Sequence, residues 1–253
     1  MKTLLNQPYD SRENALFDLY LPDDPASCRF AVIWFYGGGL VNGRKEDYAF
    51  LAPSLTSRGI TLALPNYRLM PEFSYPAFIQ DAAKSVFAVR SALSSLSVDA
   101  SLIAGGSSAG AYLSMMLCFD SSYLAAENLT PSDIQGYLFN SGQPTAHFGI
   151  LKSKGIDERR IIIDDTSALY HVDESIPRRP MLLLLAENDM PSRVTQNRLL
   201  HETLLRFGAD EKKTEIEILP GFGHCGYDKM KEDDGEYILA KRILHLIDLI
   251  VSA

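Results

Sequence analysis

Four short segments of this sequence carry residues whose types and spacing could perform covalent chemistry. The first is Gly106-Ser107-Ser108-Ala109-Gly110, a G-x-S-x-G pattern set between a short apolar run, Ser101 to Ala104, and a stretch of small or apolar residues, Ala109 to Cys118. A sharp turn from strand to helix holds such a serine in a strained backbone conformation, and small residues two before and two after it prevent clashes. Ser108 satisfies that spacing; Ser107 has Gly105 behind it but Ala109 ahead. A serine hydroxyl is a weak nucleophile without a base. Of the five histidines, His224 stands at the end of an apolar run, between Gly223 and Cys225-Gly226. His201 and His245 fall inside helical patterns, and His147 and His171 in an irregular stretch. The base needs a carboxylate to fix its tautomer. Asp189 follows the run Met181 to Ala186 and is the first candidate, with Glu187 in reserve. Taken singly, Asp189 is equally well read as a helix cap and His224 as loop surface. The fourth segment, Tyr36-Gly37-Gly38-Gly39, offers backbone N–H groups that, with that of Ala109, could converge on an oxyanion. The order Ser108, Asp189, His224, each at the end of an apolar run, predicts a serine hydrolase.

The elements that must position these residues are legible as alternating patterns. Phe30 to Tyr36, Gly59 to Leu64, Ser101 to Ala104, Gly136 to Phe139, Met181 to Ala186 and Thr214 to Leu219 are apolar runs that stop at Gly, Pro or Asn. Runs without alternation read as strands buried on both faces. Between them lie helical stripes: Ile79, Ala82, Ala83, Val86, Phe87 and Leu93; then Val194, Leu199, Leu200, Leu204 and Leu205; and last Ile238, Ile243, Leu246, Ile247 and Ile250. Strands alternating with helices give an α/β fold class, a mostly parallel doubly wound sheet with helices on both faces. In such sheets the site lies at the carboxyl ends of the strands, where the four segments fall. No linker, repeat or low-complexity tract interrupts the chain, so a single domain over 1–253 is expected.

Composition bounds the function. The chain has 253 residues, 24 Lys+Arg against 32 Asp+Glu, and a formal net charge of −8. An acidic surface repels phosphate backbones, which argues against nucleic acid and, more mildly, against anionic substrates. The longest apolar run falls far short of the roughly 20 residues that span a bilayer, and the N-terminal residues lack a secretory pattern. Three widely spaced cysteines, Cys28, Cys118 and Cys225, show no metal-binding spacing and read as free thiols in a reducing, cytoplasmic compartment.

These motifs resemble the α/β-hydrolase superfamily, and within it the hormone-sensitive-lipase-like esterases and the small feruloyl- or acetyl-esterase-like bacterial carboxylesterases. Tyr36-Gly37-Gly38-Gly39-Leu40-Val41-Asn42-Gly43 is similar to the H-G-G-G-F-x-x-G loop of that group. Asn66 to Glu72, Tyr75-Pro76-Ala77 and Asp81-Ala82 are similar to its Y-R-L-A-P-E…F-P-A…D-A stretch, and Gly106 to Gly110 to its G-D-S-A-G elbow, with Ser107 in place of the acidic residue. Ser167 to Val172 also resembles the segment found there in small members. The resemblance implies Ser108 as nucleophile, His224 as base then acid, Asp189 as orienting carboxylate, and the N–H groups of Gly37, Gly38, Gly39 and Ala109 as oxyanion hole. It places Tyr36 and Leu40 near substrate, gives Arg68 and Glu72 a bracing role, and implies no cofactor and no metal. The first strand is expected at Leu16 to Leu21, so near the start that no room is left for N-terminal cap helices; the one sizeable insertion, about 143–179, reads as a short lid or acyl-pocket wall, with Ile161-Ile162-Ile163 as core the other reading. Cys225 reads as a small packed side chain beside the histidine, with a redox role as the other reading.

The expected substrate is a small-molecule ester with a short acyl chain or a small alcohol or sugar, and a homo-oligomer is open. Two alternatives share these residues. One is amide hydrolysis, aminopeptidase-like or arylformamidase-like, for which Asp164-Asp165 or Asp173-Glu174 would anchor a free amine. The other is a non-catalytic ligand-binding protein of the same fold.

Overall fold

The computed structural model describes residues 1–252. Its centre is one eight-stranded sheet in the order β1-β2-β4-β3-β5-β6-β7-β8. The strands are β1 (Lys2–Pro8), β2 (Leu16–Leu21), β3 (Phe30–Phe35), β4 (Ile60–Pro65), β5 (Ser101–Ser107), β6 (Ile134–Asn140), β7 (Met181–Asn188) and β8 (Thr214–Gly223). β1 and β2 pair antiparallel, and β2 meets β4 antiparallel. From β4 through β8 every pairing is parallel. The apolar runs correspond to β3 to β8, and the structure extends several toward the site; β5 continues through Ser107 itself.

Seven α-helices complete the chain: α1 (Ala52–Thr56), α2 (Ala77–Ser95), α3 (Ala109–Phe119), α4 (Ser121–Ala125), α5 (Phe148–Ser153), α6 (Arg193–Arg206) and α7 (Ile238–Val251). They cover both faces. A Cβ on Gly136 of β6 would strike Ile250 of α7. Phe139, three residues on and therefore on the opposite face, packs against Phe119 of α3. The strand residues Ala31 to Phe35 and Ile60 to Leu64 are buried throughout, as expected where helices cover both faces.

Two helical stripes differ from the sequence reading. Phe87 is exposed on α2, whose buried face is Phe78, Ile79, Ala82, Ala83, Val86, Val89 and Leu93. In α6 Leu199 is exposed, and the buried positions are Arg193, Gln196, Asn197, Leu200 and Leu204. Those five keep the three-and-four spacing, but the first three are polar, so an apolar-stripe criterion rotates the helix incorrectly. The first strand is β1, not Leu16 to Leu21; its residues are mostly exposed and do not alternate, so no sequence pattern marks it.

Residues 143–179 do not form one detached flap. Gln143 to His147 and Thr166 to Leu169 are buried. The Tyr112 hydroxyl of α3 donates to the Thr166 carbonyl at 2.6 Å, and Leu169 N–H donates to the Pro144 carbonyl at 2.8 Å. The outward part is the stretch that includes Ile161 and Ile163, both exposed. No helix among the described residues is long and apolar enough to cross a membrane.

Candidate active site

The turn between β5 and α3 holds Ser108 at φ 55° and ψ −111°. That region of backbone space costs a non-glycine residue about 1–3 kcal/mol and persists only where the surroundings enforce it. The enforcement is visible. The Ser108 N–H donates to the Asn140 carbonyl at 2.7 Å, and its carbonyl accepts from Tyr112 N–H at 3.1 Å. Gly106 and Gly110 lie so close that a Cβ on Gly106 would sit 2.4 Å from the Gly110 carbonyl carbon, and one on Gly110 would sit 2.0 Å from the Phe35 oxygen. The spacing of two on either side of the serine is therefore a packing requirement of the strand-to-helix crossing.

His224, directly after β8, has Nε2 2.8 Å from Ser108 Oγ. Its Nδ1 lies 2.5 Å from Asp189 Oδ1. A carboxylate only accepts, so the proton between them belongs to Nδ1, and Nε2 is left as the acceptor for the serine hydroxyl. The Asp189 side chain is fully buried. Its Oδ1 also accepts from Met190 N–H at 2.7 Å, and its Oδ2 from Ser141 Oγ at 2.6 Å. Burial is the largest influence on this carboxyl and pushes its pKa up. The hydrogen bonds from His224 and Ser141 and the charge of the His224 ring outweigh that, so it lies below the usual carboxylate range. Glu187, the reserve candidate, is exposed and accepts from Gly221 N–H at 2.9 Å instead.

The glycine loop runs beside the serine. A Cβ on Gly37 would lie 3.3 Å from that of Ser108. Gly38 has φ 122°, where a side chain would also collide with the Asn42 carbonyl oxygen at 2.0 Å. Among the described residues no acceptor takes the N–H of Gly38, Gly39 or Ala109. Backbone donors without partners beside a candidate nucleophile are what a developing oxyanion requires.

A cleft of about 660 Å³ opens over these groups, lined by Gly37 to Gly39, Ser108, Phe148, Met190, His224 and Cys225, with Tyr48, Asp228 and Lys229 on one side. Tyr36 and Leu40 do not line it. The Tyr36 ring is buried and stacks on Tyr67 with centroids 4.2 Å apart, its hydroxyl directed to the Tyr67 carbonyl at 3.4 Å. Leu40 is fully buried with φ 66°. Arg68 lies on the far side of that loop, where it and Arg12 bind the buried Asp81 of α2 at 2.8 and 2.6 Å; Glu72 borders the same hollow. Asp164 and Asp173 cap their own turns, accepting from Thr166 and Ser175, and neither acidic pair reaches the cleft. Cys225 does, with Sγ 3.9 Å from His224 Nε2. Burial, then the nearby Asp228 and Asp189 carboxylates, raise its pKa well above the usual thiol value, which leaves a poorly reactive thiol.

Beneath the cleft lies a polar layer that sequence reasoning did not identify. Asp228 Oδ2 accepts from Tyr48 OH at 2.8 Å and Ser107 Oγ at 2.9 Å, while its Oδ1 accepts from Asn140 Nδ2 at 2.8 Å. Tyr227 OH donates to Asn140 Oδ1 and lies 3.3 Å from Ser141 Oγ, which in turn donates to Asp189. Buried hydrogen bonds thus connect Ser107, the neighbour of Ser108, to the carboxylate that holds His224. The available clue was position: Asp228 follows His224 by four residues in one glycine-rich loop, and Ser107 adjoins Ser108.

Comparisons with known proteins bear on the fold. The BD-FAE family matches residues 17–129. A carbohydrate esterase from gut microbiota, solved in truncated form, superposes with a TM-score of 0.78, 20% identity, and coverage of 99% of this chain and 97% of that one. Esterase 2 of Thermogutta terrifontis, phosphorylated by paraoxon, gives a TM-score of 0.74 at 20% identity, covering 96% and 91%. The fold is that of the α/β-hydrolases. By sequence, the kynurenine formamidase of Salmo salar is 24% identical over 97% of this chain and 82% of its own length. The esterase matches and the BD-FAE family agree with the resemblance of this chain to the hormone-sensitive-lipase-like esterases.

Proposed function

We propose that this chain is a serine hydrolase that cleaves carboxylic esters through an acyl-enzyme, with Ser108 as nucleophile, His224 as base and Asp189 as its orienting carboxylate. The observation that carries the reading is the unbroken relay of 2.8 Å and 2.5 Å contacts from a serine held at positive φ to a buried carboxylate. His224 takes the hydroxyl proton as Oγ attacks the carbonyl carbon. The Gly38, Gly39 and Ala109 N–H groups receive the oxyanion, and Gly37 holds the loop against the nucleophile. His224 then passes its proton to the leaving alcohol, and a water, activated by the same ring, releases the acid. Phe148 and Met190 wall the cleft, and Phe148, at the start of α5, is the insertion's contribution to that wall. A wall this short suits short acyl chains or small alcohol and sugar esters. The esterase named as phosphorylated by paraoxon supports a phosphorylatable nucleophile in this fold.

Amide hydrolysis is the second reading, favoured by the kynurenine formamidase likeness along nearly the whole chain. The same relay can protonate an amine leaving group, whereas an amine anchor built on the acidic pairs of the insertion has no support from their placement.

Fluorophosphonate labelling followed by a panel of aryl esters and aryl formamides tests both. Ser108→Ala is expected to abolish labelling and turnover while the protein stays folded by circular dichroism. An active Ser108→Ala protein would refute the assignment of the nucleophile, and formamide turnover without ester turnover would select the second reading.

A further inference from the structure

Beyond Phe148 and Met190, which border it and the main cleft alike, lies a second hollow of about 350 Å³. Its other walls carry Gln143, Arg159, Arg160, Arg193 and Gln196, and its one carboxylate is Glu158. Glu158 faces Lys152 at 3.6 Å, and Arg159 is held by Asp157. Arg160 and Arg193 form no ion pair among the described residues.

Arg193 is the unusual member. It is only 3% exposed, yet its guanidinium meets neutral groups alone: the Ser141 carbonyl, Gln143 Oε1 at 3.3 Å and the Met190 sulfur at 3.6 Å. Taking a cation out of water without a hydrogen-bonded counter-ion costs several kcal/mol; burial lowers the Arg193 pKa, and the charge of Asp189, which makes no direct bond to it, opposes that shift without cancelling it. Its nearest neighbours on the buried face of α6, Gln196 and Asn197, are polar as well, and Gln196 lines the same hollow. A fork of N–H donors matches a carboxylate bidentately.

We propose that this hollow is a subsite for a free carboxylate carried by the substrate, one end of an ester whose carbonyl sits at Ser108 while its anionic end reaches past Met190 to Arg193 and Arg160. The proposal rests on the ester-hydrolase reading for its chemistry. It runs against the expectation drawn from net charge. The −8 is an average over the surface, and this hollow collects three arginines against one glutamate.

The test compares charged and neutral substrates of equal length. In one pair the acyl group bears the charge, 4-nitrophenyl monoglutarate against 4-nitrophenyl valerate. In the other the alcohol bears it, the acetyl ester of 4-hydroxybutyrate against that of its methyl ester. Wild-type protein is expected to favour the charged member of at least one pair by about tenfold in kcat/KM. Arg160→Gln should lower that quotient several-fold and Arg193→Met should remove it; a quotient cancels any shared loss of folded protein. Glutarate binding to Ser108→Ala protein, followed by calorimetry with and without Arg193→Met, reads the subsite without turnover. Ester turnover with no charge preference and no Arg193-dependent glutarate binding would overturn the subsite and leave the hydrolase. Arg193-dependent glutarate binding without any ester turnover or labelling would keep the subsite and remove the ester reading.

Discussion

Two buried carboxylates lie under the cleft, and they are held by opposite kinds of partners. Asp189 faces an imidazole that can carry charge, together with Ser141 and a backbone N–H. Asp228 faces only neutral donors: Tyr48, Ser107 and Asn140. Burial dominates both, but the Asp189 carboxyl ends below the usual range and that of Asp228 above it. At Asp189 the hydrogen bonds and the charge of the adjoining His224 outweigh desolvation; at Asp228 three hydrogen bonds from neutral donors, with the His224 charge acting from farther off, do not. The difference also separates two tasks. On the proposed mechanism Asp189 answers charge that develops on His224, whereas Asp228 holds Ser107, the residue before the turn that presents Ser108.

Removing the charge at each site is the strongest way to break that contrast. Asp189→Asn should lower kcat on an aryl ester by on the order of 10⁴-fold, since the amide holds the ring in the wrong tautomer. Asp228→Asn should cost only about tenfold, the scale of a disturbed hydrogen bond next to the nucleophile. Equal losses in the two variants would show that the carboxylates act as one unit.

A smaller effect concerns stability in acid. The Asp189 pKa is depressed in the fold, so its contribution is present above the unfolded carboxyl value and is lost as pH falls through the folded one. His147, buried against Tyr112 and Phe148, has its pKa lowered by burial and then by Arg193, from 6.5 to about 3. Its neutral form is the one the fold accepts, so its contribution is present above 6.5 and fades as pH falls toward 3. Asp228 works the other way, with a raised pKa whose contribution is present in acid and lost as pH rises through it. Urea midpoints should therefore drop between pH 7 and 4, and His147→Gln should flatten the profile by up to about 1.36 kcal/mol per pH unit. A steeper profile in that variant would reverse the sign argued here.

The smallest effect is expected at Tyr36→Phe. Its hydroxyl makes a single 3.4 Å contact on the far side of the glycine loop, so kcat/KM and the thermal midpoint should stay within about 0.5 kcal/mol of the parent. A large loss would bring Tyr36 back toward substrate.

The two carboxylates also mark where the sequence is readable. Asp189 ends an apolar run in the right order behind a serine motif, so one-dimensional signals converge on it. Asp228 touches Ser107 across 121 residues and Tyr48 across 180; no local period records such a contact. The same holds for Arg193, whose burial reversed the apolar reading of α6. The central strands were legible because both of their faces are covered. β1 was not, because partial exposure erases both a continuous run and an alternation.

That strand has one more consequence. Between Leu4 and Gln7 its register with β2 slips, Asn6 turns to φ 55°, and its N–H is taken by Asp18, which also holds the buried Lys45 at 2.8 Å. β1 is an outermost strand of the sheet, where unpaired backbone invites a stray strand from another molecule. A bulge fastened from within interrupts that row of free groups and bends it, and Pro8 removes a donor at its end. The margin of the sheet is thereby a poor template for growth, which should favour a chain that stays dispersed when crowded with its own copies.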